Sequence, residues 1–255
     1  VAWNVVQSAS GDAYGTSVAA TFATANVTAG NKIIAVISSN YSGLPSTVRD
    51  AALNNWTAIG SKVTGTGSVW LYALDVPAGD AGTKPTITAT FSGSTDLAIV
   101  IQEVSGLLAG NTTAMADGTA GVLSGTTATT GSPAYSSTAA NEYLVCCYGD
   151  NSGGVTVVKQ GAAWTLDANS QHVNSDASIE YANSTNGAET SGFTGAETSG
   201  WSLVTVAFQL APSGTNTSPA WAASQGIVAG GSGSWTSPGN VTGAADGSFA
   251  TWTAP

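Results

Sequence analysis

Along most of this chain apolar and polar residues alternate with a period of two rather than 3.6, the spacing of a half-buried strand. The stretches "TSVAATFA" (16–23), "KIIAVISS" (32–39), "SVWLYALDV" (68–76), "TITATF" (86–91) and "LAIVIQEV" (97–104) carry this pattern. Clusters of Gly, Pro, Asn and Asp such as "NYSGLPS" and "PAGDAGTKP" separate them, as turns require. No segment shows a sustained amphipathic-helix stripe. The pattern predicts an all-β protein.

The pattern also repeats. "GNKIIAVISS" aligns with "ANEYLVCCYG", Asn31 over Asn141, and Trp56-Thr57 aligns with Trp164-Thr165. "VWLYAL" aligns with "ASIEYA", Tyr72 over Tyr181, and "LAIVIQEVSGL" resembles "WSLVTVAFQLA". Differences in spacing fall in the loops, where insertions are tolerated. Two halves, residues 1–110 and 111–212, predict a jelly-roll-like β-sandwich built from two Greek keys. Two separate small sandwiches are the rival, but no linker divides the halves. A local duplication, "GAETSGF" then "GAETSGW", reads as a loop or hairpin before the last strand.

After Pro212 the pattern is lost. Residues 213–255 hold Trp221, Trp235 and Trp252 among Gly and Ser, with Asp246 as the one charge. Indoles left in water are unfavourable, since each can bury about 150–250 Å². The segment is therefore expected to be an extended arm whose tryptophans make inter-subunit contacts. A linker, or the start of a further β domain, is the alternative.

Composition narrows the function. Charged residues make up 8% of 255, and the net charge is −10. The five cations are Lys32, Arg49, Lys62, Lys84 and Lys159. Nucleic-acid binding needs a basic patch that these cannot build, and the same deficit disfavours anionic membrane surfaces. No apolar run reaches the length of a membrane span, so no membrane insertion is expected. The chain starts at Val1 without Met. A cleaved signal, a trimmed Met or a larger parent chain would each produce that start.

Candidate chemistry is sparse. Cys146 and Cys147 alternate to opposite faces of a strand and cannot share a metal. They align with Val36 and Ile37, so they read as small apolar strand residues. His172 is the single histidine, in a polar stretch read as a loop, without a nucleophile elbow or further zinc ligands. Glu103 shares a strand face with Ile99 and Ile101 and reads as a structural carboxylate accepting loop amides near Gly106. The loops 75–82 and 149–154 offer oxygen ligands for calcium but are equally good turn sequences. Seven Asn-X-Ser/Thr sequons, as in any chain this rich in these residues, do not show glycosylation. No catalytic residue and no cofactor is therefore expected, calcium being the one ion the loops could seat.

The opening "VVQSASGDAYGTSVAATFATANVTAGNKIIAVIS", the segment "VIQEVSGL", "WTL" and the closing "WSLVTVAFQLAP" resemble a family of sandwich domains. These occur in bacteriophage tail-fibre and other virion proteins and in secreted bacterial surface proteins. The resemblance covers roughly residues 5–212. It implies a structural or adhesive module: a non-enzymatic protein of an extracellular assembly, such as a virion decoration or fibre protein, partnered by copies of itself or by other virion subunits. The alternative is a secreted carbohydrate-binding module using Trp3, Trp56, Trp70, Trp164, Tyr41 and Tyr148 on surface glycans.

Overall fold

The computed structural model describes residues 2–40, 43–50, 54, 56–64, 67–110, 113–151, 154–172 and 175–212, with 243–244 and 249–250. The chain divides into two units, Val1–Ala211 and Pro212–Pro255. In the second unit Gly243–Ala244 pairs antiparallel with Phe249–Ala250. Trp221, Trp235 and Trp252 lie outside the described residues.

The first unit is an all-β sandwich of antiparallel sheets. Strands β1 (Asn4–Thr21), β2 (Lys32–Ser39), β3 (Thr47–Arg49), β4 (Thr57–Lys62), β5 (Ser68–Asp75) and β6 (Thr86–Ser105) make one sheet, in the order β1-β6-β2-β5-β4, with β3 beside β6. The second half supplies β7 (Gly121–Gly125), β8 (Ala140–Asp150), β9 (Val158–Lys159), β10 (Thr165–His172), β11 (Ser175–Thr185), β12 (Phe193–Thr194) and β13 (Trp201–Phe208). Five of these form the other sheet, in the order β10-β11-β8-β13-β7. Read from the opposite end, the two orders are the same. Each half of the repeat is therefore one whole sheet.

This corrects the expected Greek keys. A jelly roll interleaves its halves across both sheets; here they stay apart. Only β4–β5 and β10–β11 are sequential strands paired as neighbours within the two sheets, so neither sheet has the three hairpin-linked strands of a Greek key. Strand count cannot reveal which strands pair. Pairing follows from which faces can be buried together.

The register is corrected too. Ala35 of β2 lies between Tyr72 and Ile101, and Cys146 of β8 lies between Glu180 and Thr205. Cys146 and Cys147 thus stand where Ala35 and Val36 stand, and Glu180, not Tyr181, stands where Tyr72 does. For these two strands the true alignment is one residue from the one the sequence suggests, which moves their side chains to the other face, while the closing-strand match of Ile101 with Thr205 holds. Positive φ marks the same offset, at Gly30 (85°) just ahead of β2 and Asn141 (65°) at the start of β8. The Trp-Thr alignment holds. Thr57 and Thr165 begin equivalent strands, each with a register shift after its second pair.

Two cores result. Ile34, Val36, Leu71, Val100 and Val104 of the first sheet pack with Tyr143, Val145, Cys147, Ile179, Val206 and Phe208 of the second. The other core lies on the outer face of the first sheet. There the β1/β6 ladder bends after Gly15 and its far end, with β3, folds back as a flap. Val18, Phe22, Val48, Ile87 and Phe91 of the flap region pack on Ile33, Ile37, Trp70 and Ile99. Gly11 permits this, because a Cβ there would run into the carbonyl oxygen of Ala19 in the folded-back part of the same strand. The second half has a smaller equivalent, in which Thr129 bridges Thr194 and β12 pairs with β9.

Candidate functional site

The residues singled out as site candidates are mostly structural. Cys146 and Cys147 are free, fully buried thiols. Burial pushes both well above the ordinary thiol value, so neither is a thiolate. His172 ends β10 opposite Ser175, so the stretch read as a loop is the tip of a hairpin. Glu103 is buried on the Ile99–Ile101 face. It accepts the Thr28 amide (2.8 Å), Asn31 Nδ2 (2.6 Å) and Gln7 Nε2 (2.7 Å). It holds a loop as expected, but the loop before β2 rather than the one at Gly106.

The aromatic candidates are also largely interior. Trp70 and Tyr148 are buried in the two cores. Trp164 is buried and donates from Nε1 to the Thr190 carbonyl (2.8 Å). Trp3 packs edge-on against Tyr143, ring centroids 4.9 Å apart, and donates to the Asn141 carbonyl. Tyr41 lies outside the described residues.

The acids give the main surprise. Among the described residues ten acids are buried: Asp50, Asp80, Asp96, Glu103, Asp117, Glu142, Asp150, Asp176, Glu180 and Glu189. Most act as internal caps for loops. Asp150 accepts the Tyr148 hydroxyl (2.8 Å) and the Asp176 amide (2.9 Å), and Asp176 accepts the amides of Gly154 and Val155. Glu189 takes the Ser137 hydroxyl and the Thr185 amide. With few Lys and Arg available, main-chain N–H groups are the principal donors left to satisfy buried carboxylates. One ion pair is present among the described residues, Lys32 with Asp75. Burial pulls the Lys32 ammonium below its usual value, against the opposing pull of Asp75.

Two surface depressions stand out among the described residues. One, of about 460 Å³, lies between Ser132–Ser136 and Ala188–Thr190. Its polar groups are already engaged: the Tyr135 hydroxyl donates to the Asp117 carbonyl and accepts the Ala207 amide. The other, about 320 Å³, is lined by Pro45, Ser46, Thr47, Val48, Arg49, Trp56 and Tyr72. Among the described residues, neither Arg49 Nε nor Trp56 Nε1, both buried, has an acceptor. A buried donor left unpaired costs about 1–3 kcal/mol. Edge strand β3 positions Arg49, and the turn into β4 positions Trp56. This groove is the better candidate site, since it offers a cation and an indole N–H beside aromatic walls. In the sequence Arg49 is one of five cations. Its signal was scarcity, a lone Arg in a chain that otherwise uses Lys.

Among the described residues no three His, Cys, Asp or Glu side chains gather as a metal cluster, and no helix is long and apolar enough to cross a membrane. No family model, no curated protein and no solved structure matches this chain.

Proposed function

We propose that this chain is a non-enzymatic structural module of an extracellular assembly, and within that class a decoration or fibre protein of a bacteriophage virion. The inward placement of its chemistry carries this reading. Ten acids and both thiols are buried, many in contacts that hold loops on a double core. What faces outward is dominated by Ser, Thr, Asn, Gly and small apolar side chains, suited to broad packing against neighbours. Edge strands carry few charges to discourage pairing, which is tolerable where a neighbouring subunit covers them. Partners are then copies of the chain or other subunits, without nucleic acid or membrane insertion. Light scattering over a wide concentration range, with immunogold labelling of purified particles, tests this. Self-association or particle labelling is expected. A monomer at all concentrations, absent from particles, would sink the reading.

The groove at Arg49 favours a second reading, an adhesive module for surface glycans. Trp56 and Tyr72 supply apolar ring surface, and Arg49 with the flanking hydroxyls of Ser46 and Thr47 supplies polar contacts. A glycan array probed with the native chain and with Arg49→Ala decides it. Retention lost in the variant supports adhesion, whereas no retained glycan removes it.

A further inference from the structure

The two sheet orders begin and end on β1, β4, β10 and β7. Three of these edges are short: β4 has six residues and carries Lys62, β7 has five, and β10 has eight and carries Asp167. β1 has 18 residues, without Lys, Arg or Pro, and Asp12 is its one charge. Among the described residues no strand pairs with its outer edge. Sheets usually blunt an edge of this length with charge or proline, because a long bare ladder is a template for another strand.

The ladder fixes which residues face outward. In an antiparallel sheet each residue points its N–H and C=O to one side, and the side alternates along the strand. The Val76 amide donates to the Asn31 carbonyl (2.9 Å), so the odd-numbered residues of β2 face β5. Its even-numbered residues, Lys32 to Ser38, therefore face β6, where they meet Val104 to Ala98. The odd-numbered residues of β6 are left to face β1, and they meet Gln7, Ala9, Gly11 and Ala13. Ser8, Ser10, Asp12 and Tyr14 thus point their main-chain groups out of the sheet edge. The ladder runs from Gln7 to Gly15 without a register shift. On this stretch Ser10, Asp12 and Tyr14 are exposed, and Tyr14, at 71%, is the most exposed large hydrophobic side chain described.

We propose that β1 is the docking edge for β1 of a second copy of this chain, antiparallel about a two-fold axis at Ser10. This rests on the reading of the chain as an assembly module and names the surface that module uses. The strand is self-complementary in that register. Ser10 faces Ser10 of the other copy, Asp12 faces Ser8, and Tyr14 faces Val6. The Ser8 hydroxyl can donate to the Asp12 carboxylate. Exposed Val6 meets the Tyr14 ring, an aromatic and β-branched pair of the kind that stabilises neighbouring strands. The two Asp12 residues stand roughly 13 Å apart, beyond the Debye length of about 8 Å at physiological salt. A register centred on Asp12 would instead set the two carboxylates face to face. The pairs at Ser8, Ser10 and Asp12 exchange about six main-chain hydrogen bonds and join two sheets into one. A two-fold contact uses the same edge on both copies, so it closes at the dimer.

Sedimentation of the full native chain tests this, alongside Ser10→Cys, Ser61→Cys and Ser10→Lys. A reversible dimer is expected for the native chain. Ser10→Cys should oxidise to a disulfide-linked dimer, since a bonded antiparallel pair holds its Cα atoms about 5.5 Å apart, within disulfide reach. Cys146 and Cys147 are buried and do not compete. Ser61→Cys, at an exposed position on edge strand β4, should stay uncrosslinked. Ser10→Lys sets two ammonium groups on the axis and should weaken the dimer roughly tenfold or more, with far-ultraviolet circular dichroism unchanged. Self-association that neither crosslinks through Ser10→Cys nor weakens in Ser10→Lys would overturn the β1 edge and leave the assembly reading standing. A native chain that is monomeric at every concentration would overturn the edge outright, and particle labelling then decides the broader reading.

Discussion

The two halves share a strand order, a pair of bulges and a flap, yet they fill the space under the flap differently. In the first half the three residues abreast on the central strands are Ala35, Tyr72 and Ile101, beneath Val48, Ile87 and Phe91. In the second half the same row is Cys146, Glu180 and Thr205. There the Glu180 carboxylate accepts the Gly192 amide (2.9 Å), and the Thr205 and Ser191 hydroxyls pair (2.9 Å). Hydrocarbon secures one flap, while the other is also tied by hydrogen bonds. The same backbone accepts either filling, because topology asks only that the outer face be covered. The polar filling adds direction and pH dependence that hydrocarbon lacks.

The largest test concerns the paired indoles. Trp56→Ala and Trp164→Ala should each cost about 3–5 kcal/mol in urea unfolding, as buried Trp truncations do. Trp164→Ala should be the worse by about 1 kcal/mol, since the Thr190 carbonyl loses its donor. Equal losses would mean that hydrogen bonds to the second flap add nothing. A neutral result at either position would break the equivalence itself.

Next comes pH. Burial pushes Glu180 up to about 8, against the amides of Gly192 and Gln160 and the charge of Lys159. The folded state therefore keeps a proton that the unfolded chain releases near pH 4.5. Its contribution is fully present below that value and is lost as pH rises through about 8, an effect on the order of 3 kcal/mol. Asp117, held below the usual carboxylate range by its donors, acts oppositely and loses its contribution as pH falls under about 4. Glu180→Gln should flatten the decline between pH 5 and 8. If the native chain is as stable at pH 8 as at pH 5, the contrast between the flaps is not electrostatic.

The smallest effect comes from making the second half resemble the first. Cys146→Ala with Cys147→Val installs the residues found at the equivalent places, Ala35 and Val36. Conservative swaps of this size usually cost under about 1.5 kcal/mol. In the native chain neither thiol should react with a maleimide until unfolding. Rapid labelling would place a thiol outside the core.

Much of the fold was legible because its signals are local. Alternation marked the strands, and the Trp-Thr landmarks matched Trp56 to Trp164. Interior placement of the cysteines followed from their strand pattern even though the alignment was one residue off. Glu103 was readable as a structural carboxylate from its face alone. The groove was much less legible. Arg49, Trp56 and Tyr72 stand on three different elements, and no spacing in the chain announces that β3, β4 and β5 converge.

What the sequence determined by itself was therefore the β character, the internal repeat and the alternation of each strand, all set by side-chain period. Only the tertiary structure decided strand order and register. A shift of one residue leaves the period unchanged, and the error shows only when a face must pack against another. The tertiary structure also decided where the acids went. Glu103 finds its donors at Gln7, Thr28 and Asn31, and Asp150 finds the Asp176 amide. A carboxylate's partners are whatever amides folding brings within reach, and nothing local in the chain records them.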